Sequence, residues 1–309
     1  MPGRVGQLTL LLPERRRFPG QALGRRVSMA LGRGDRLADV AAGEAAQLQR
    51  HFDVQPPGWP MAAITREADL GDAAGSLWLR ADPVFVRPDI NGARLMAWGN
   101  LDLSEADSAA LVLALQPVFE DDAICLSPGS VDRWYLRVPA GLPFPEFSTP
   151  LDGLGEDLRA HLPEGEQGRR WRQLLNEAQI ILHNHPVNAR RVASGQAPAN
   201  SLWFWGGGGL PQRVSCAADA VIGADDELRA LAALACASPI RSSTEKVLVD
   251  LRRERDWSAL EIEHLLPALQ QVSSSRVNLF LDFADGAGWR ITARQAWRFW
   301  RPALQDLQR

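Results

Sequence analysis

The chain has 309 residues, 46% hydrophobic and 23% charged, with a formal net charge of −3. That length supports one large core or two smaller ones, and an acid-leaning chain lacks the basic field that neutralises many phosphates, which excludes nucleic acid as an expected partner. No stretch approaches the roughly 18 apolar residues of a membrane span. Cys125, Cys216 and Cys236 lie far apart without CxxC spacing, so neither a disulfide framework nor a zinc knuckle is predicted and the thiols are expected in inert apolar surroundings. The expectation is a reduced, cytoplasmic protein with no membrane partner. Lys246 is the only lysine, a bias that codon usage explains, and any anion site must therefore be built from guanidinium groups.

In chain order, the apolar run Leu8–Leu12 reads as a short buried strand closed by Pro13, and the segment after it spaces apolar residues and alanines at helical intervals. "VQPPGWP" from Val54 to Pro60 cannot continue a helix and reads as a linker. From Ser76, "SLWLRADPVFVRPD" and "NGARLMAW" flank Asn91-Gly92, a strong hairpin signal. Ser104 is placed as the N-cap of "SEADSAALVLALQPVF", and "AICLSPGSVDRWYLRV" reads as a second hairpin, so Gly75–Val138 is predicted to be antiparallel α+β. "GEQGRRWRQLLNEAQIILHNHP" puts Trp171, Leu174, Leu175, Ala178, Ile181 and Leu182 on one helical face and must stop near Pro186. Strands at "SLWFW", "AVIG", "KVLVDL" and "VNLFLDF" then alternate with helices, which predicts a parallel sheet over Ser201–Phe283 before the hairpin-like "DGAGWRITA". The expected fold is α/β: a parallel-sheet core with helices on both faces, from residues 1–70 and 165–309, interrupted by an α+β cap-like insertion at 71–164.

The segment richest in functional side chains is "HNHPVNARRVASGQAPANSLWFWGGGG", His183 to Gly209. Its tetraglycine follows a predicted strand, where α/β sheets bind ligands, but lacks GxGxxG spacing and a GK[ST] ending; it reads as a flexible turn or as a ligand-approach loop. His183 and His185 end a helix with no Asp, Glu or Cys cluster at ligand spacing, so interaction with the helix C-terminus is expected rather than a metal. Arg80, Arg87, Arg133, Arg137, Arg190 and Arg191 either converge on an anion or are solvated singly. Trp203, Phe204 and Trp205 read as the core of a buried strand. With no GxSxG elbow, a nucleophilic catalytic set is not expected.

The stretch "HPVNARRVASGQAPANSLWFWGGG" resembles a segment of the archaeal-type, cofactor-independent phosphoglycerate mutases, in which an HPVN-type element, a G-x-x-PAN element and a WG-rich strand end follow in that order. "LRADPVFV", "SEADSAALVLALQ" and "VDRWYLRV" resemble the inserted substrate-cap domain of that family, and "AVIGADDELRALAALA" the segment after its glycine strand. The resemblance covers roughly Ser76 to Ala235, and the whole chain is also similar to the bacterial RpfE-type regulatory proteins related to those mutases.

The resemblance implies a reduced fold of the alkaline-phosphatase superfamily, whose chemistry uses two divalent metals held by Asp and His and a Ser or Thr that carries the phosphoryl group. Here "ERRRF" follows the first strand without an aspartate, and "RRERDW" follows "VLVDL" without an adjacent histidine, in a chain with five histidines. No metal, no cofactor and no catalytic residue are therefore expected. The substrate-gripping part carries over to His185, Pro186, Val187 and Asn188 with Arg190 or Arg191, to Pro198, Ala199 and Asn200, and to Gly206 and Gly208, with Arg80 and Arg137 in the cap-like strands. These either line a cleft between core and insertion or fix the strand–helix geometry, with asparagines satisfying buried backbone groups. The implied function is a non-catalytic regulatory or small-anion-binding protein whose partner is a phosphorylated small metabolite or a regulatory protein; the alternative is a phosphoglycerate mutase or related metal-dependent phosphotransferase or phosphatase.

Overall fold

The computed structural model describes residues 5–89, 92–142, 145–236 and 246–308. The chain runs β1 (Gly6–Leu12), α1 (Arg25–Arg33), β2 (Asp35–Arg36), α2 (Glu44–Gln49), β3 (Phe52–Gln55), α3 (Met61–Leu70), β4 (Leu77–Asp89) and β5 (Gly92–Trp98). It continues through α4 (Glu105–Glu120), β6 (Cys125–Pro128), β7 (Trp134–Val138), α5 (Pro150–Gly153), α6 (Gly165–Asn184), α7 (Pro186–Ala193) and β8 (Ser201–Gly209). The last part is β9 (Arg213–Cys216), β10 (Ala220–Ile222), α8 (Asp226–Cys236), β11 (Lys246–Asp250), α9 (Trp257–Leu260), α10 (Leu266–Ser273), β12 (Val277–Phe283) and β13 (Gly288–Ile291). No helix among the described residues is long and apolar enough to cross a membrane.

The chain divides into two compact units, Met1–Asp53 with Arg213–Arg309, and Val54–Gln212. The first is α/β, as expected. Its six-stranded sheet has the order β10-β11-β1-β12-β13-β2, with β10, β11, β1 and β12 parallel and β13 and β2 antiparallel. The N-terminal strand sits in the middle because "LTLLL" is apolar on both faces, as a strand buried on both sides requires; Leu10, Leu11 and Leu12 are almost fully buried. Phe18, Val27, Leu31, Trp257, Leu265 and Leu269 pack with the sheet residues Leu281, Phe283 and Trp289 in one core.

The second unit is an antiparallel α+β body around β4, which pairs with β8, with β7 near its start and with β5 near its end, while β6 extends the sheet beyond β7. The β4–β5 hairpin forms as predicted, although Asn91 itself lies outside the described residues. Ser104 caps α4 by accepting from the Asp107 N–H at 3.1 Å. Helix α6 ends where His185, forced toward extended backbone by Pro186, becomes the N-cap of α7 and accepts from Val187 N at 3.2 Å.

Two expectations need correction. Strand β8 is antiparallel to β4 and belongs to this second unit rather than to the parallel sheet, and its tetraglycine is strand, not a turn or loop. For the same reason the observed division falls at 53/54 and 212/213 instead of at 70/71 and 164/165. Trp171, Leu174 and Leu175 of α6 and Phe204 of β8 fill the same core as Phe119 and Leu136, so they cannot be separated from the inserted body.

Candidate functional site at the carboxyl edge of the parallel sheet

Parallel strands present all their carboxyl ends on one side, where α/β sheets bind ligands. In the first unit these ends carry acids: Asp250 closes β11, Asp282 lies near the end of β12, and Asp225 follows β10 and caps α8 by accepting from Leu228 N at 3.0 Å. Asp250 and Asp282 are each in register with Leu11 on opposite sides of β1, which places their Cα atoms about 10 Å apart, two strand spacings. Helix α2 lies over this edge. It is fixed by the fully buried Gln47, whose Nε2 donates to Leu12 O at 3.1 Å and Asp282 O at 2.5 Å, and it brings Glu44, Arg50 and His51 to the cluster.

The acids converge on guanidinium groups. Arg252, 2% exposed, binds Asp250 through Nε at 2.8 Å and Nη2 at 2.9 Å, and reaches Asp225 at 3.0 Å and Glu44 at 3.3 Å. Arg253 bridges the same Glu44 and Asp225 from the solvent side. Asp282 is held by Arg50 at 2.6 Å and by His51 Nε2 at 2.7 Å, and Arg15 holds Asp285 at 2.8 Å. Burial pushes the Glu44 carboxyl above its ordinary range, with Arg253 and Arg252 pulling against it. Burial acts on Asp225 in the same sense, yet Arg252, the Leu228 N–H and Arg253 together hold it below the usual carboxylate range.

A divalent cation needs several oxygen or imidazole ligands with free lone pairs. Here both oxygens of Asp250 face Arg252, those of Asp225 face Arg252 and Arg253, and those of Asp282 face Arg50 and His51. The buried atoms left without a partner among the described residues are one donor, Arg17 Nη1, and one acceptor, Gln47 Oε1. Among the described residues no group of three or more His, Cys, Asp or Glu side chains is arranged to hold a metal. The two-metal centre implied by the resemblance does not fit this edge.

The residues predicted from the sequence lie in the second unit. Arg80 is 2% exposed and bound through Nε and Nη2, both at 2.7 Å, to the fully buried Asp82. Asp82 also accepts from the indoles of Trp98 and Trp205, both at 2.8 Å, while Arg80 lies over the Trp205 ring at 4.9 Å. Asn188 is buried and ties α7 to the chain before β8, donating to Leu182 O and Ala199 O and accepting from Ala199 N. Asn200 exchanges both backbone bonds with Val86. Arg190 is exposed against Asp107 at 2.8 Å, whereas the buried Arg191 donates to the carbonyls of Ala197, Asp102 and Leu101.

Arg137 and Gly208 come together, each in register with Trp78 on opposite sides of β4. Asn200, at the other end of β8, is about 26 Å from Gly208 along the strand, so the eight predicted residues do not share one pocket. Gly206, with φ +66°, and Gly208, with φ +148°, let α3 and Pro60 approach β8: a Cβ on Gly208 would sit 2.7 Å from Pro60 Cβ. The exposed Arg137 faces a depression of about 570 Å³ lined by Ser76, Leu77, Ala123, Ala140, Gly209 and Leu210 among others. Cys125, expected in apolar surroundings, is exposed at the end of β6 because that edge strand turns it outward.

No family model matches the chain. A stretch of 156 residues, 50% of the chain, is 31% identical to a probable 2,3-bisphosphoglycerate-independent phosphoglycerate mutase of Geobacter sulfurreducens and covers 39% of that protein. A stretch of 211 residues, 63% of the chain, is 27% identical to the 2,3-bisphosphoglycerate-independent phosphoglycerate mutase of Methanosarcina mazei and covers 53% of it. The chain thus spans about half the length, or less, of these curated relatives. Among solved structures, the cofactor-independent phosphoglycerate mutase of Thermoplasma acidophilum is similar over 93% of this chain and 89% of its own, at 14% identity and a TM-score of 0.40. A Pyrococcus horikoshii protein is similar over 94% and 88%, at 11% identity and a TM-score of 0.44.

Proposed function

We propose that this chain is a non-catalytic, regulatory relative of the cofactor-independent phosphoglycerate mutases that binds a small phosphorylated anion. The observation that carries the non-catalytic reading is Arg252: a buried guanidinium occupies the centre of the carboxylate cluster at the edge where this kind of sheet binds ligands. A guanidinium there is a fixed, permanent cation with neither an exchangeable ligand position nor the capacity to generate a nucleophilic hydroxide. Arg137 supports the anion reading: it is exposed on a depression whose volume falls within the usual range for small-molecule sites, and the carboxylate within its electrostatic reach, Asp72, is already paired with Arg66.

The second reading, a working mutase, is favoured by the sequence similarity to the mutases of Geobacter and Methanosarcina. One experiment separates the two. Purified chain is incubated with 3-phosphoglycerate and manganese, and the 2-phosphoglycerate formed is followed by phosphorus NMR. The expected result is no turnover, together with a rise in Tm on adding 3-phosphoglycerate that Arg137→Ala removes. Turnover abolished by a chelator would establish the mutase reading, and an unchanged Tm would sink the anion reading while leaving the non-catalytic one in place.

A further inference from the structure

The indoles of Trp257 and Trp289 in the first unit are buried to within 2%. Trp297, Phe299 and Trp300 are instead 79, 77 and 69% exposed on one turn after β13, with Phe299 and Trp300 in edge contact at 5.4 Å. An exposed group of large rings calls for an explanation in a way that a single exposed leucine does not. The backbone that presents them is fixed. Arg298 Nη1 donates to Arg33 O at 3.1 Å and pairs with Asp35, Arg301 Nη1 donates to Gly34 O at 2.9 Å, and Leu304 exchanges backbone and hydroxyl bonds with Ser28.

Charge on the same segments is predominantly positive. Arg290, Arg294, Arg298 and Arg301 lie on the segment that carries the rings, which has Asp306 as its one acid among the described residues, while Asp35 of β2 pairs with Arg298; α1 adds Arg25, Arg26 and Arg33 with no acid. Arg294 and Trp297 lie three apart in one 3₁₀ turn, where side chains at that spacing eclipse. Beside them, Met29 and Ala30 of α1, Leu269 and Val272 of α10, and Ala293 and Ala296 line an apolar depression of about 290 Å³ with Arg26 and Arg33 among its lining. None of the three rings lines that depression; they stand clear of it.

From this juxtaposition we propose that the Trp297–Trp300 turn and the basic residues around it dock on an anionic lipid bilayer surface. Rings that stand out from a fixed turn can enter the headgroup boundary, and the exposed guanidinium groups of the same segments, those of Arg25, Arg26 and Arg294, remain at the level of the lipid phosphates. A flat anionic surface complements a predominantly positive face without a matching shape, and the combination of apolar insertion with a basic patch supplies the two signals that surface binding needs. The overall charge of −3 hides this face because most of the acids lie elsewhere in the chain, which is why composition alone predicts no membrane partner.

The test is co-sedimentation of the full chain with phosphatidylcholine vesicles and with vesicles containing 30% phosphatidylglycerol. Binding is expected to the phosphatidylglycerol vesicles only, to weaken with added salt, and to disappear in Trp297→Ser/Phe299→Ser/Trp300→Ser. Arg26→Glu/Arg294→Glu is expected to weaken it by well over tenfold, since each arginine near such a surface contributes about fivefold. The rings are exposed, so the triple variant should keep the Tm of the parent; a variant that loses stability is replaced by the charge-reversal pair as the deciding measurement. Equal affinity for both vesicle types, or affinity that survives both sets of substitutions, would overturn the proposal. So would absence of vesicle binding together with self-association that the triple variant abolishes, which would assign the turn to contact between copies of the chain.

Discussion

Replacing Arg252 with alanine tests the idea that this side chain is the internal cation of the first unit. Asp250, Asp225 and Glu44 have side chains 3, 9 and 13% exposed, and the substitution leaves Asp225 and Glu44 with Arg253, 47% exposed, Glu44 with the longer contact to Arg17 at 3.8 Å as well, and Asp250 with no ion-pair partner among the described residues. Removing one partner from a buried ion network costs about 3–5 kcal/mol, because the charge left behind has lost its water without compensation. For a body of this size that corresponds to a fall in Tm of roughly 10 °C. The pH dependence follows from sign. In the parent, Asp225 is held below its ordinary value, so its contribution is present at neutral pH and is lost as pH falls through its folded-state value. Glu44 is raised, so folding favours its protonated form, and its burial weighs against the fold as pH rises above its ordinary range. Without Arg252 both groups move upward, and the variant should be most destabilised at pH 7 and recover part of the difference toward pH 5. The assay is urea denaturation at a series of pH values, with Arg252→Lys as a charge-retaining control that lacks the bidentate fork. A loss below about 1 kcal/mol with no pH dependence would refute the reasoning, since such values belong to exposed ion pairs.

Four further outcomes are expected. Asp82→Asn leaves the Arg80 guanidinium buried without its carboxylate and should destabilise by about 3–5 kcal/mol, with the change seen in tryptophan fluorescence because Trp98 and Trp205 donate to that residue. Gly208→Ala should cost about 2 kcal/mol or more by thermal denaturation, as φ of +148° and the contact with Pro60 act in the same direction. Treatment with a chelator should leave Tm unchanged, because the carboxylates at the sheet edge are satisfied by guanidinium groups; a chelator-dependent fall would contradict that account. Arg190→Ala, which removes an exposed pair with Asp107, should change stability by under about 1 kcal/mol in the same denaturation assay.

Much of the fold was legible because its signals are local. Apolar alternation, the Asn91-Gly92 pair, the Ser104 cap and Pro186 each act within a few residues, and the elements they predict form where expected. The partner of β8 was not legible. An apolar run followed by glycines announces a strand, but its pairing with β4 is a long-range contact, as are the close approaches of α3 to Gly206 and of Pro60 to Gly208. The sheet-edge cluster was missed for a related reason: Glu44, Asp225 and Arg252 are far apart in the chain, and each alone reads as a solvated charge. A usable sign was present in the acids at or near successive strand ends, Asp250 and Asp282. Arg80 and Asp82 offered another, since residues two apart on a strand share a face and an Arg-x-Asp pair in an apolar strand announces a buried ion pair.

The position of Arg252 bears on how such a sheet edge keeps its shape. Carboxylates that project from neighbouring parallel strands into a low-dielectric edge repel one another and cannot be buried without positive charge. A bound cation supplies it at the expense of making the fold depend on metal supply, because binding free energy then becomes folding free energy. A guanidinium carried on the chain two residues after Asp250 supplies the same charge at any metal concentration, and its fork fixes both oxygens of that carboxylate at 2.8 and 2.9 Å. A guanidinium in that role has a chemical consequence. A side chain that cannot leave, cannot bind water as a ligand and does not lose its proton in the physiological range stabilises the edge while offering no open coordination position of the kind that metal-assisted phosphoryl transfer needs. The same residue thus stabilises the sheet edge and carries the proposal that the chain has no turnover, which is why its substitution and the phosphorus NMR assay test one idea from two sides.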